Sequence, residues 1–103
     1  RAQVDVLRAL ADLGGESYPA EVARATRRER SNIAQHTLPA LDRLGLVHFR
    51  AARDLEEAPG VGRPVRCVTL TATGRRLVEA LEAAEREAAA ALRREADTAA
   101  VAA

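Results

Sequence analysis

The sequence predicts a mainly α-helical chain with a small β-hairpin, an α+β fold, from three features of its 103 residues. Residues 21–47 contain a short helical pattern, an arginine-rich turn, a second helical pattern and a Leu-Gly-Leu-Val exit. Residues 48–77 contain two β-prone runs around a glycine-containing loop, followed by the start of a helix. From residue 72 onward, an alanine-rich helical pattern continues almost to the last residue. This order predicts a winged helix-turn-helix over residues 1–71 and a long C-terminal helix within residues 72–103.

The first two helices are predicted from apolar spacing and from their end signals. An amphipathic helix over residues 2–13 collects on one broad stripe the apolar residues Val4, Val6, Leu7, Leu10, Ala11 and Leu13. Gly14 and Gly15 end this helix, because glycine adopts the left-handed conformation at no steric cost. A short extended piece at residues 17–18 leads to a second helix over residues 19–26, whose first position is a proline. Its inward residues are expected to be Val22, Ala23 and Ala25.

The third helix is predicted over residues 30–44, with Gly45 closing it, and at 100° per residue it separates into two arcs. The inward arc comprises Ile33, Ala34, Thr37, Leu38, Ala40, Leu41 and Leu44. The outward arc comprises Asn32, Gln35, His36, Pro39, Asp42 and Arg43. Pro39 removes the hydrogen bond to the carbonyl of Gln35 at a cost of about 3 kcal/mol, so a bend is expected there. Such a bend either curves the helix along a groove or only accommodates core packing.

The outward arc of the third helix carries the side chains that suit a DNA major groove. Asparagine and glutamine bond adenine in a bidentate manner, and arginine does the same to guanine. The base-edge candidates are therefore Asn32, Gln35 and His36. Residues nearer the helix ends are expected to contact phosphates, namely Arg27, Arg28, Arg30, Ser31 and Arg43. The alternative is that these are ordinary solvent-facing residues of an amphipathic helix.

The wing is predicted as two strands, residues 46–50 and 64–70, joined by a long loop. Arg63, between Gly62 and Pro64, is placed to enter a minor groove, where arginine responds to the potential of narrow A·T tracts. The expected contacts to flanking DNA backbone are Arg50, Arg53 and Arg66. Three acids in the loop would repel phosphate, so only part of the wing can approach DNA.

The C-terminal helix is predicted to begin after Thr71, a good N-cap, and to continue to about residue 97, a length of about 39 Å. It has a narrow seam of leucine and alanine, formed by Leu77, Leu81, Ala84, Ala88 and Leu92. This seam belongs either to a solvated, alanine-stabilised helix or to a dimerisation helix. We favour dimerisation, because pairing buries leucines that otherwise stay in water. The tail from Thr98 is expected to fray.

The distribution of charge supports a nucleic-acid partner better than the net charge of +1 does. Residues 24–53 contain seven arginines against two acids, whereas residues 79–103 contain three arginines against six acids. A duplex presents about one negative charge per 1.7 Å, so local arginines matter more than the total. The single cysteine, Cys67, forms no internal disulfide and favours a reducing, cytoplasmic location at the nucleoid. No apolar run approaches the roughly 20 residues that span a bilayer, so no membrane partner is expected.

Two segments make the chain resemble winged-helix regulators of the MarR, ArsR and PadR types. Residues 38–47, LPALDRLGLV, are similar to the end of the recognition helix in those families, and Gly62-Arg63-Pro64 with residues 68–75, VTLTATGR, is similar to their wing exit. The turn looks one residue longer than usual, and the wing is unusually acidic. The resemblance implies a homodimeric repressor or activator on a pseudo-palindromic operator, and it leaves a small-molecule effector open. Because only a C-terminal dimerisation helix is evident, the PadR architecture is the closer expectation.

Other function classes find less support in the sequence. His36 and His48 lack the partner residues of a catalytic constellation, and no glycine motif for phosphate is present, so we expect no enzyme, catalytic residue or cofactor. Too few ligands are present for a structural metal site. The remaining rival is a winged helix that binds protein in a replication, segregation or conjugation assembly. Such domains lack a concentrated basic face, which this chain has.

Overall fold

The computed structural model describes residues 1–51 and 66–102, which follow the element order of a winged helix. The elements are α1 (Ala2–Asp12), β1 (Glu16–Ser17), α2 (Pro19–Thr26), α3 (Arg30–Asn32), a π-helical segment (Ile33–Thr37), α4 (Leu38–Arg43), β2 (Val47–Ala51), β3 (Arg66–Leu70) and α5 (Ala72–Ala102). Helix α3, the π-helical segment and α4 run on without a break, and we call them together the composite helix (residues 30–43). The predicted fold class, a winged helix-turn-helix with a small antiparallel sheet and a long C-terminal helix, is confirmed.

The sheet has three antiparallel strands in the order β1-β3-β2. Strands β2 and β3 pair from Val47 opposite Leu70 to Ala51 opposite Arg66. The short extended piece expected near residue 17 is β1, which pairs with β3 and places Ser17 opposite Val68. The hairpin is therefore held against the helical part of the domain by a third strand.

Three helices end in the same hydrogen-bonded C-cap, in which one residue adopts the left-handed conformation. The three six-to-one bonds are Gly15 N–H to Leu10 O (2.7 Å), Arg28 N–H to Ala23 O (3.0 Å) and Leu46 N–H to Leu41 O (3.0 Å). This is the Schellman arrangement, which usually has glycine at the left-handed position. Gly14 and Gly45 fill that position after α1 and the composite helix, as the sequence predicted. After α2 the position is held by Arg27, with φ 55°.

One apolar core joins the helices to the sheet. Its members are Val6, Leu7, Leu10, Val22, Ala23, Ile33, Leu38, Leu41, Val47, Val68, Leu70 and Val78. Three of the expected inward residues, Leu13, Leu44 and Ala25, are exposed. Leu44 is 61% exposed because it lies about 240° round the helix from Leu38, and Ala25 is exposed because it lies about 200° from Ala23.

Helix α5 starts on the domain and then extends beyond it. Thr71 caps it as predicted, since its hydroxyl oxygen accepts the N–H of Gly74 at 3.0 Å. Val78 is 3% exposed in the core, so the first turns of α5 pack against the same core as residues 1–71. The helix continues through Ala102, beyond the end predicted near residue 97. Fraying of the tail from Thr98 stays a prediction. Alanine, the strongest helix former, supplies most of the residues there.

Candidate nucleic-acid interface

The composite helix presents a polar surface because its apolar side is fixed in the core. Ile33, Leu38 and Leu41 are completely buried, and each belongs to the core cluster. Helix α2 precedes it through the turn of residues 27–29, which gives the arrangement of a helix-turn-helix. The remaining face of the composite helix is thereby turned away from the core and toward solvent.

The middle of the composite helix is π-helical. The N–H of Leu38 donates to the carbonyl of Ile33, five residues back, instead of to the fourth residue back. Pro39 follows at once and has no N–H with which to bond the carbonyl of Gln35. The sequence predicted a disturbance at Pro39, but its form as a π-helical segment was not predicted.

The three predicted base-edge residues lie together on the solvent side of the composite helix. Asn32, Gln35 and His36 are all exposed. Asn32 and His36 also line an open cleft of about 570 Å³ that lies between the start of α1 and the arginine-rich turn. The structure therefore presents polar donors and acceptors on one helix surface, and their contact with bases stays a prediction.

The residues predicted to contact phosphate fall into different surroundings. Arg28 Nη2 lies 2.6 Å from Asp5 Oδ2 on α1. The hydrogen bond from Arg28 is the main reason that the pKa of Asp5 lies below its ordinary value. Ser31 donates to Glu29 at 3.0 Å. The others are exposed and form no ion pair with a residue in ranges 1–51 and 66–102, namely Arg27, Arg30 and Arg43.

Two of the four predicted wing arginines lie in the described part of the chain, and both have a partner there. Arg50 on β2 forms an ion pair with Glu16 on β1, which also accepts the hydroxyl of Thr69 at 3.0 Å. The bond from Arg50, followed by that from Thr69, holds the pKa of Glu16 below its ordinary value. The guanidinium of Arg66 lies 4.8 Å from the centroid of the Phe49 ring. Arg53 and Arg63 lie outside the described residues.

Sequence reasoning missed the two carboxylates that bind predicted DNA-contact arginines. Asp5 is 23 residues from Arg28, and Glu16 is 34 residues from Arg50. Neither pair shares a helical or strand periodicity that could have revealed it. The pairs become visible only when α1 and β1 are placed against the helix-turn-helix and the hairpin.

The predicted dimerisation seam runs from the domain surface onto the projecting part of α5. Leu77 is 37% exposed and Leu81 is half-buried. Farther along, Ala84 and Ala88 are exposed and Leu92 is 66% exposed. Arg8 on α1 forms an ion pair with Glu85, at 2.5 Å, where α5 leaves the domain. Among the described residues, no helix is both long enough and apolar enough to cross a membrane.

Comparison with solved structures gives similar chains, and several of them are described as transcriptional regulators. A candidate transcriptional regulator from Pseudomonas aeruginosa is 34% identical with a TM-score of 0.66, over 82% of this chain and 51% of that one. BpsR of Bordetella bronchiseptica, whose DNA binding is regulated by 6-hydroxynicotinic acid, is 28% identical with a TM-score of 0.64, over 91% of this chain and 76% of that one. The MarR family transcriptional regulator SPO1453 from Silicibacter pomeroyi is 26% identical with a TM-score of 0.62, over 89% of this chain and 59% of that one.

These comparisons bear on the expectations drawn from the sequence. Of the three regulator types that the sequence resembles, MarR is the one that SPO1453 represents. The prediction of a non-enzymatic protein agrees with the descriptions of the similar chains. This chain spans about half the length of the Pseudomonas protein. The sequence matches no protein-family model and no curated protein.

Proposed function

We propose that this chain, a winged helix-turn-helix protein of the MarR-like superfamily, binds double-stranded DNA in a sequence-specific manner and regulates transcription. In this proposal the composite helix lies in the major groove and the wing lies at the minor groove. The chain acts in the cytoplasm at the nucleoid. The observation that carries the proposal is the exposed polar surface of the composite helix, opposite a fully buried apolar side.

Three groups of residues have distinct roles in this proposal. Asn32, Gln35 and His36 read base edges, as amide and imidazole groups can do in the major groove. Phosphate contacts fix the register without reading sequence, and they are assigned to Arg27, Arg28, Arg30, Ser31 and Arg43. The wing contributes its four arginines to the flanking backbone and the minor groove, namely Arg50, Arg53, Arg63 and Arg66.

The proposal includes a homodimeric repressor on a pseudo-palindromic operator, with residues 1–71 as the DNA-binding part and residues 72–103 as the dimerisation part. The support is the seam of α5, in which Leu92 is 66% exposed on a helix that projects beyond its own core. Pairing of two such helices buries this leucine. Two composite helices are then expected to address half-sites about 34 Å apart, one turn of duplex.

Selection from random duplex tests the proposal directly. We expect an enriched inverted repeat, and binding that weakens steeply as salt rises, because arginines release counterions from phosphates. A double variant, Asn32→Ala with Gln35→Ala, is expected to lose discrimination between the selected operator and random duplex by about tenfold or more. Thr73→Ala, an exposed change on α5, serves as the matched control and is expected to bind like the parent.

The outcomes of this experiment separate the proposed function from its rival. If the folded chain binds no duplex at low salt, the protein-interaction role is favoured over DNA binding. If the double variant keeps full discrimination, DNA binding stands and the assignment of its base-reading residues is wrong. A monomer at working concentration, by equilibrium sedimentation, would remove the dimer from the proposal.

The similarity to BpsR adds a small-molecule effector to the proposal. The probe is 6-hydroxynicotinic acid, titrated into the complex with the selected operator. Dissociation of the DNA at a concentration that leaves the chain folded would support an effector of that chemistry. An unchanged complex would remove that compound.

A further inference from the structure

We infer that the π-helical segment, held in place by Pro39, sets which polar side chains of the composite helix face the DNA bases. Pro39 is then a positioning residue for sequence specificity, although its own side chain contacts no base. The inference deepens the proposed function and rests on it. It starts from two observations, the bond from Leu38 to Ile33 and the burial of both these residues.

The π turn explains how Ile33 and Leu38 both reach the core. In a regular α-helix, residues five apart are separated by about 500°, so their side chains point about 140° apart. The five-residue hydrogen bond instead places Leu38 one turn above Ile33. Both side chains are 0% exposed, as is Leu41 one turn farther on. The π turn therefore brings the buried residues Ile33, Leu38 and Leu41 onto one side of the composite helix.

The same wider turn changes the angular positions of the polar residues. Gln35 and His36 lie inside the π-helical segment, Asn32 precedes it and Arg43 follows it. In a regular α-helix, Asn32 and Arg43 would be about 1,100° apart, which is three turns plus about 20°, and they would share a face. The π turn contains an additional residue, so Arg43 is rotated away from Asn32. The polar face therefore differs from the one predicted at 100° per residue.

Pro39 stabilises this geometry because a regular helix at this point would be strained. Its ring would crowd the carbonyl of Gln35, and that carbonyl would lose its donor, at a cost of about 3 kcal/mol. The π-helical bond at Leu38 is the last one before the proline. Pro39 itself is only half-buried and is not a member of the core cluster. Its replacement can therefore change the helix without removing a core side chain.

Two variants remove the π turn in different ways. Pro39→Ala restores the N–H and relieves the ring contact, which permits a regular helix. Deletion of Ala34 places Ile33 and Leu38 four residues apart, so that a regular α-helix buries both. Pro19→Ala is the matched control, because that proline begins α2 and has no part in the composite helix.

The readout is the selected DNA sequence, together with the unfolding midpoint of each protein. We expect both π variants to fold and to bind duplex with a salt dependence like that of the parent. They are expected to select a different sequence. Their ratio of affinity for the parental operator to affinity for random duplex is expected to be at least tenfold lower than that of the parent. The Pro19→Ala control is expected to select the parental operator.

Each result either supports or overturns a stated part of the inference. If the deletion variant folds and selects the parental operator with full discrimination, the π turn does not set the reading face. If only Pro39→Ala keeps the parental preference, the π turn acts but Pro39 does not hold it. If the deletion variant does not fold, a Pro39→Ala protein that keeps the parental preference overturns the inference, and one that loses it supports the inference. A parent that selects no sequence overturns the proposed function instead, which keeps the two failures distinct.

Discussion

Gly74, in the first turn of α5, is expected to reject even a methyl group. A Cβ built on Gly74 would lie 2.1 Å from the carbonyl oxygen of Leu46 and 2.9 Å from the Leu70 side chain. Carbon and oxygen atoms in favourable contact are about 3.3–3.6 Å apart. The change Gly74→Ala therefore forces α5 or the segment at Leu46 to move by about an ångström.

The size of the effect follows from what that movement disturbs. Overpacking costs about 1–3 kcal/mol. Two hydrogen bonds join the start of α5 to this segment, from Thr71 N–H to Leu46 O at 3.0 Å and from the Thr71 hydroxyl to Gly45 O at 2.6 Å. Their loss adds about 1 kcal/mol each, and helix propensity returns about 1 kcal/mol. The net expectation is destabilisation of about 2–4 kcal/mol.

Urea unfolding of Gly74→Ala, at the same protein concentration as the parent, measures this difference. Thr73→Ala, at the exposed neighbouring position, is the control and is expected to change the free energy of unfolding by less than about 0.5 kcal/mol. The sign is decisive, because helix propensity alone predicts that alanine stabilises α5. A Gly74→Ala protein as stable as the parent, or more stable, would refute the close approach of α5 to Leu46.

Three further predictions concern the arginines and their partners. Arg27→Gly is expected to stabilise the chain by about 0.5–1 kcal/mol, because relief of about 1–2 kcal/mol of left-handed strain outweighs the cost of about 0.5–1 kcal/mol from the greater entropy of glycine in the unfolded chain. Arg27→Ala keeps the left-handed strain, because alanine also has a Cβ. If Arg27→Ala raised the free energy of unfolding in urea as much as Arg27→Gly does, relief of strain would not be the cause. The paired Glu16 carboxylate, with its pKa lowered by Arg50, stabilises the fold above its ordinary pKa, and that contribution is lost as pH falls through the lower folded pKa. Glu16→Gln is therefore expected to be less stable than the parent at neutral pH, and this difference in stability is expected to shrink as the pH becomes acid. A difference in urea midpoint that stays constant with pH would contradict this prediction. Arg43→Ala is expected to reduce the salt slope of duplex binding by about one, because one phosphate contact is lost. An unchanged slope would remove Arg43 from the backbone contacts.

The order of the elements could be predicted from the sequence because their signals are local. Apolar spacing located α1, and Gly14 and Gly45 marked two helix ends, as the left-handed angles confirm. Thr71 marked the start of α5, because an N-cap hydroxyl bonds an N–H only three residues away. Such signals depend on neighbouring residues, so one sequence is enough to find them.

Features that depend on distant residues could not be predicted in the same way. The π turn aligns the buried Ile33 and Leu38 on one side of the composite helix, whereas a fixed rotation of 100° per residue predicted a wider core arc that included Leu44. The partners of Arg28 and Arg50 come from α1 and β1, and no periodicity connects them. The sequence therefore predicted which helix carries the candidate surface, but not the directions in which the side chains of that helix point.

The acid partners give the arginines near the proposed DNA surface unequal roles. Arg28 and Arg50 each bind a carboxylate on another element, so a phosphate contact would have to compete with Asp5 or Glu16. If an arginine left its partner, an uncompensated negative charge would remain close to the DNA, which opposes the exchange. The two pairs hold α1 and β1 against the rest of the domain, so Arg28 and Arg50 are expected to make weaker phosphate contacts than an arginine without an acid partner. Arg43, which has no such partner among the described residues, can give its charge to a phosphate without exposing an acid.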